Sequence, residues 1–165
     1  MHPAATDRDD ELVRGRRRLG KFELTFCSDG PYVLDGGAMF GVVPKTLWQK
    51  RAPANELNQI LLGENTVVAR TGAAVVVIET GIGNKQPPKM REIFQNKERL
   101  MDSFAAAGVR LDEVTHVVNT HLHFDHCGGS GGSDSSGAGS DHEPRADCGG
   151  GDCSAGIERA AALPK

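Results

Sequence analysis

From position 21 onward, apolar and polar residues alternate in ways that predict definite elements. Phe22, Leu24 and Phe26 alternate with Glu23, Thr25 and Cys27, the period-two pattern of a half-buried strand. Ser28-Asp29-Gly30-Pro31 has turn chemistry, so Tyr32-Val33-Leu34 is expected to return beside that strand as a hairpin. Further strands are expected at Ile60 to Leu62, Asn65 to Arg70 and Ala73 to Glu79, the last two joined across Thr71-Gly72. Val75 to Ile78 is continuously apolar, which predicts a strand covered on both faces. Pro44 to Trp48 begins as a helical turn, with proline at its favoured first position. Leu100, Phe104 and Ala107 fall at i, i+4 and i+7 of an amphipathic helix over 97–107, which Gly108 terminates. A strand over Val114 to Thr120 follows, with Val117 and Val118 inward. These elements make an α/β fold from Lys21 to Gly129, with a mixed sheet and helices on one face.

The flanks read differently. Residues 1–20 are polar and charged without periodicity, and are expected to be a disordered leader. After Gly129 the composition becomes glycine, serine and aspartate, too poor in apolar surface to offset chain entropy, so 130–165 reads as a disordered low-complexity tail. A partial domain over 21–129 therefore lies between two unstructured segments of a chain of 165 residues. The net charge of -3 gives no electrostatic footprint for nucleic acid. Arg14, Arg16, Arg17 and Arg18 follow Asp7, Asp9, Asp10 and Glu11 and read as a solvated mixed-charge stretch. No apolar run reaches membrane-spanning length and no signal peptide is legible, so a cytoplasmic protein is expected. Four cysteines without a secretory signal do not predict a disulfide framework, and Cys27 reads as a small buried hydrophobe.

Chemistry concentrates in Thr120-His121-Leu122-His123-Phe124-Asp125-His126. Three of the chain's six histidines and an aspartate stand there as His-x-His-x-Asp-His at the end of the last predicted strand. His121 and His123, two apart in extended geometry, project to one side and can share an ion. Asp125 and His126, after the chain turns, can face a second ion. Gly128-Gly129 permits close backbone passage. The Gly-rich stretch Asp35 to Gly41 lacks the lysine and spacing of a phosphate-binding loop. Its Met39 and Phe40 either rim a substrate pocket or plug the sheet.

Thr120 to Gly129 resembles the metal-binding motif of the metallo-β-lactamase superfamily, whose members hydrolyse β-lactams, lactones, thioesters, phosphodiesters and organophosphates. The order of elements from Phe22 to Gly129, with the turn Glu79-Thr80-Gly81-Ile82-Gly83, is similar too. Asp35 to Lys45 with Leu47-Trp48 looks more like the lactonase-like and other small-ester branches. The resemblance implies the N-terminal half of a four-layer αββα sandwich. It makes His121 and His123 ligands of a first zinc and Asp125 and His126 ligands of a second, with Asp125 also orienting the attacking water. Iron and manganese also suit such ligands. Thr120 and Glu79 would support the ligands from behind, Glu79 standing where the family usually has aspartate.

Nothing after Gly129 resembles the family's second half, which supplies further ligands. His142, Cys148 and Cys153 could form a small zinc knuckle, but they sit in the glycine-rich tail. The break at Ser130 reads like a frame change, so a truncated relative is expected. The implied function is zinc-dependent hydrolysis of a lactone or other small ester. The alternative is a catalytically incompetent metal-binding remnant or partner-dependent half-domain. A half-sandwich would expose an apolar sheet face open to self-association.

Overall fold

A computed structural model describes residues 11–130 and 157–159. Its centre is a mixed sheet in the order β1 (Val13–Leu19), β2 (Phe22–Asp35), β3 (Gln59–Thr71), β4 (Ala74–Ile78), β5 (His116–Val118), β6 (Ile157–Arg159). Only the β4–β5 pair is parallel among these strands. The helices are α1 (Gly36–Phe40), α2 (Lys45–Trp48), α3 (Pro88–Phe94), α4 (Leu100–Ala107) and α5 (Phe124–Cys127). The α/β class, the mixed sheet and the β3–β4 hairpin across Gly72 are as the sequence predicts. The helix ending at Gly108 also forms, with that glycine left-handed at φ 71.

The first expected hairpin does not form. β2 runs unbroken through Ser28 to Pro31 and pairs with β3 from Glu23↔Arg70 to Asp35↔Gln59. A bulge between Ser28 and Gly30 absorbs the turn-like residues, with Gly30 at φ 99. The extra residue, Asp29, is 2% exposed, and its Oδ1 accepts the Leu100 backbone N–H at 2.7 Å. It thus satisfies an orphan donor at the start of α4, where Arg99 offers no side-chain cap.

The leader gives way to structure earlier than expected. β1 pairs with β2 from Val13↔Cys27 to Leu19↔Phe22, so the described part of 1–20 is not disordered. One of its arginines reaches another element: Arg16 donates to the Ala107 carbonyl at 3.1 Å, and beside it Arg70 of β3 donates to that of Gly108 at 3.2 Å, while Arg17 and Arg18 stay exposed. Cations at these carbonyls complement the C-terminus of α4. Residues 1–10, and the tail apart from Ser130 and β6, lie outside the described residues, as do His142, Cys148 and Cys153.

By register, Cys27, Val68, Val75 and Val77 share one face of the sheet and pack against Leu100, Phe104 and Val109. Tyr32 and Leu62, paired further along the same face, pack with Ile82, Phe94 and Phe124. Cover on both faces of β4 is not observed: Val75 and Val77 are buried, while Val76 and Ile78 are only partly so. β5 is shorter than predicted and ends at Val118, leaving His121 and His123 on the loop beyond it and His126 on α5.

Candidate functional site

Two loops build the site, one after β4 and one after β5. They are zipped together by Glu79 N–H to the Val118 carbonyl at 2.9 Å and Thr80 N–H to the His126 carbonyl at 2.8 Å. Glycines make this approach possible. A Cβ on Gly128 would stand 2.0 Å from the Ile82 carbonyl oxygen, and one on Gly83, at φ 64, would stand 2.6 Å from the Gly128 oxygen. Both distances are far inside van der Waals contact, so the pairing of Gly83 with Gly128 is a steric requirement.

The close approach gathers the histidines. The rings of His121 and His126 are 3.9 Å apart between centroids, and those of His121 and His123 are 4.7 Å apart in an edge arrangement. His123 sits at the N-cap position of α5, so the helix turns Asp125 and His126 away from the extended run that carries His121. Asp125 Oδ2 lies 3.4 Å from His126 Nε2. Among the described residues, no group of three or more histidine, cysteine, aspartate or glutamate side chains has its donor atoms converged on one point.

Surrounding groups orient these side chains. Glu79 receives the Thr120 backbone N–H on Oε1 at 2.7 Å and faces His126 Nδ1 with Oε2 at 2.7 Å. A carboxylate against Nδ1 fixes the orientation of the ring. Glu79 itself adopts φ 68, an uncommon conformation for a residue with a side chain. The Thr120 hydroxyl is 3.0 Å from His121 Nδ1. Tyr32, from β2, donates its hydroxyl to Asp125 Oδ2 at 3.0 Å. Burial first, then the neighbouring Asp125 charge, raises the phenol well above its ordinary range, so it remains a donor.

Beside the cluster is a cleft of about 270 Å³, bordered by Tyr32, Met39, Glu64, Glu79, Asp125 and His126. Met39 is thus on the cleft wall, whereas Phe40 stacks on Trp48 at 4.9 Å. Below it, Glu64 is 6% exposed and lies beside the buried Asp29. Burial, reinforced by Asp29, pushes the Glu64 carboxyl up to about 9, so the pair holds a proton at neutral pH. Sequence reading missed Tyr32, Asp29 and Glu64, because each reaches the site through strand pairing across tens of residues. Asp29, buried in the bulge, had offered only its turn-like neighbours as a signal.

Three imidazoles and a carboxylate form a donor set suited to zinc, iron or manganese. Glu79 on His126 and Tyr32 on Asp125 are outer partners of the kind that orient metal ligands. By residue type His121, His123, Asp125 and His126 suit a metal, although their donor atoms do not converge on one point in this arrangement.

The fold matches that of a partial metallo-β-lactamase-fold domain. Residues 60–138 match the family model described as the metallo-beta-lactamase superfamily. Among solved structures, a probable metal-dependent hydrolase from Staphylococcus aureus is 34% identical, with a TM-score of 0.63 over 68% of this chain and 42% of that one. AidC, a dizinc quorum-quenching lactonase solved with a product, is 22% identical, with a TM-score of 0.55 over 73% of this chain and 40% of that one. AbOPH, a hydrolase of the beta-lactamase superfamily, is 19% identical, with a TM-score of 0.53 over 68% and 38%. The last two likenesses bear on the fold alone. The chain spans about two fifths of the length of these solved structures. No curated protein matches it. No helix among the described residues is long and apolar enough to cross a membrane.

Proposed function

We propose that the protein is a metal-dependent hydrolase acting on a lactone or other small ester, with zinc held by His121, His123, Asp125 and His126. The observation that carries this reading is the gathering of His121, His123 and His126 into one ring cluster, with Glu79 set on His126 Nδ1. The S. aureus neighbour, described as a probable metal-dependent hydrolase, supports it, and the choice of a lactone or small ester rests on the resemblance of Asp35 to Lys45 with Leu47-Trp48 to those branches.

When bound, a divalent ion supplies a Lewis acid that polarises a carbonyl or phosphoryl oxygen and makes water more acidic. The chain's own residues do the rest. Asp125 borders the cleft, where its carboxylate would orient an attacking water. Glu79 fixes His126 and the Thr120 backbone together. Met39 offers apolar surface to the substrate's hydrocarbon part. The test is turnover of a panel of lactones, thioesters and phosphodiesters by zinc-loaded, monodisperse protein. Hydrolysis that is lost on His123→Ala is expected.

A second reading is a metal-binding module without turnover, or a half-domain completed by a partner. It is favoured by the absence, among the described residues, of a converged group of three or more donors. Zinc uptake with no hydrolysis across the panel would select it.

A further inference from the structure

Tyr32 lies 93 residues from Asp125 in sequence and on a different element, yet its hydroxyl donates to Asp125 Oδ2 at 3.0 Å. We propose that Tyr32 is a positioning residue for the metal centre, holding one oxygen of Asp125 so that the other is presented for ligation. The inference rests on the assignment of Asp125 as a ligand.

Three observations support it. First, the phenol is held rigidly: Tyr32 is 5% exposed and packs with Ile82 and Phe94, and Phe94 stacks on Phe124 at 4.5 Å and 12°. Phe124 directly precedes Asp125 on α5, so one apolar cluster fixes both ends of the hydrogen bond. Second, Asp125 Oδ2 also lies 3.4 Å from His126 Nε2, so a fixed Oδ2 keeps the carboxylate from rotating freely against the imidazole. Third, the fold brings Tyr32 here by a specific device. The β2 bulge shifts register by one residue between Ser28 and Gly30 and puts Tyr32 opposite Leu62, on the face that carries α3 and Phe124. Without the bulge, Tyr32 would point to the other face.

A buried tyrosine hydroxyl needs some partner, so a purely structural role must be told apart from positioning. Calorimetric titration of the full chain with zinc chloride does this, on wild type, Tyr32→Phe, Asp125→Asn, the double variant and His123→Ala, with thermal unfolding of each in chelator. Positioning predicts that metal-free Tyr32→Phe melts close to wild type while its zinc affinity falls about 10–100-fold, the usual effect of losing an outer partner. In the Asp125→Asn background, removing the hydroxyl should change affinity little further, because the group it positions is already gone. Unchanged affinity in Tyr32→Phe, equal losses in both backgrounds, or a Tyr32→Phe chain that fails to fold would assign the hydroxyl to stability and overturn the inference. Failure of the underlying reading looks different: wild type takes up no zinc, or His123→Ala binds as wild type does, and the inference then falls with it.

Discussion

Glu79 shows how much one residue settles. It joins the Thr120 backbone to His126 through its two oxygens, both at 2.7 Å. Glu79→Ala should therefore weaken zinc binding about 10–100-fold, measured by competition with a chromophoric chelator. Glu79→Asp, one methylene shorter, should lose less. Glu64 makes a prediction about pH. Its carboxyl is raised to about 9 in the fold, chiefly by burial and then by Asp29, from an ordinary value of 4.5. The folded protein thus keeps a proton that the unfolded chain releases, and stability is fully present below about pH 4.5 and declines as pH rises towards 9. Glu64→Gln, neutral throughout, should flatten the fall in melting temperature between pH 5 and pH 9. An unchanged slope would show that the pair does not share a proton. The candidate ligands were legible in sequence because four ligand-type residues stand within one short run, His121 to His126. Tyr32, Asp29 and Glu64 were not, since their roles arise from strand pairing and burial that local spacing does not encode.

At the scale of elements, the loops after β4 and β5 behave as one unit. Gly128→Ala must push a methyl into the Ile82 carbonyl, so it should destabilise the protein by about 1–3 kcal/mol or more and reduce zinc uptake as well. A variant with wild-type melting temperature would show the loops to be less closely joined. The strand at Phe22 to Phe26 and the helix ended by Gly108 could be read directly, but the face of that strand on the core is the one with Cys27, not the one with Phe22, Leu24 and Phe26. The bulge could not: Ser28-Asp29-Gly30-Pro31 carries turn chemistry, and only the long pairing with β3 turns it into a kink within β2. β1 was hidden because its arginines look solvent-bound in sequence, while Arg16 caps a helix terminus in the fold. α1 was read as a glycine loop, although Asp35 caps it by accepting the Ala38 N–H at 2.9 Å.

For the whole molecule, the face of the sheet opposite α4 carries Leu24, Phe26, Val67, Val76 and Ile78, all only partly buried. We propose that a second copy associates through this face. Sedimentation velocity should show concentration-dependent association that Val67→Thr with Val76→Thr weakens, and a monomer at every concentration would exclude it. The central claim, that His121, His123, Asp125 and His126 hold the metal, is tested most directly by X-ray absorption at the zinc edge of the zinc-loaded full chain. The account predicts a shell of nitrogen and oxygen at about 2.0–2.1 Å with the multiple scattering of imidazole, diminished in His121→Ala and in His123→Ala. A sulfur shell at about 2.3 Å, placing the ion on cysteine, or a spectrum unchanged by both histidine substitutions, would contradict it.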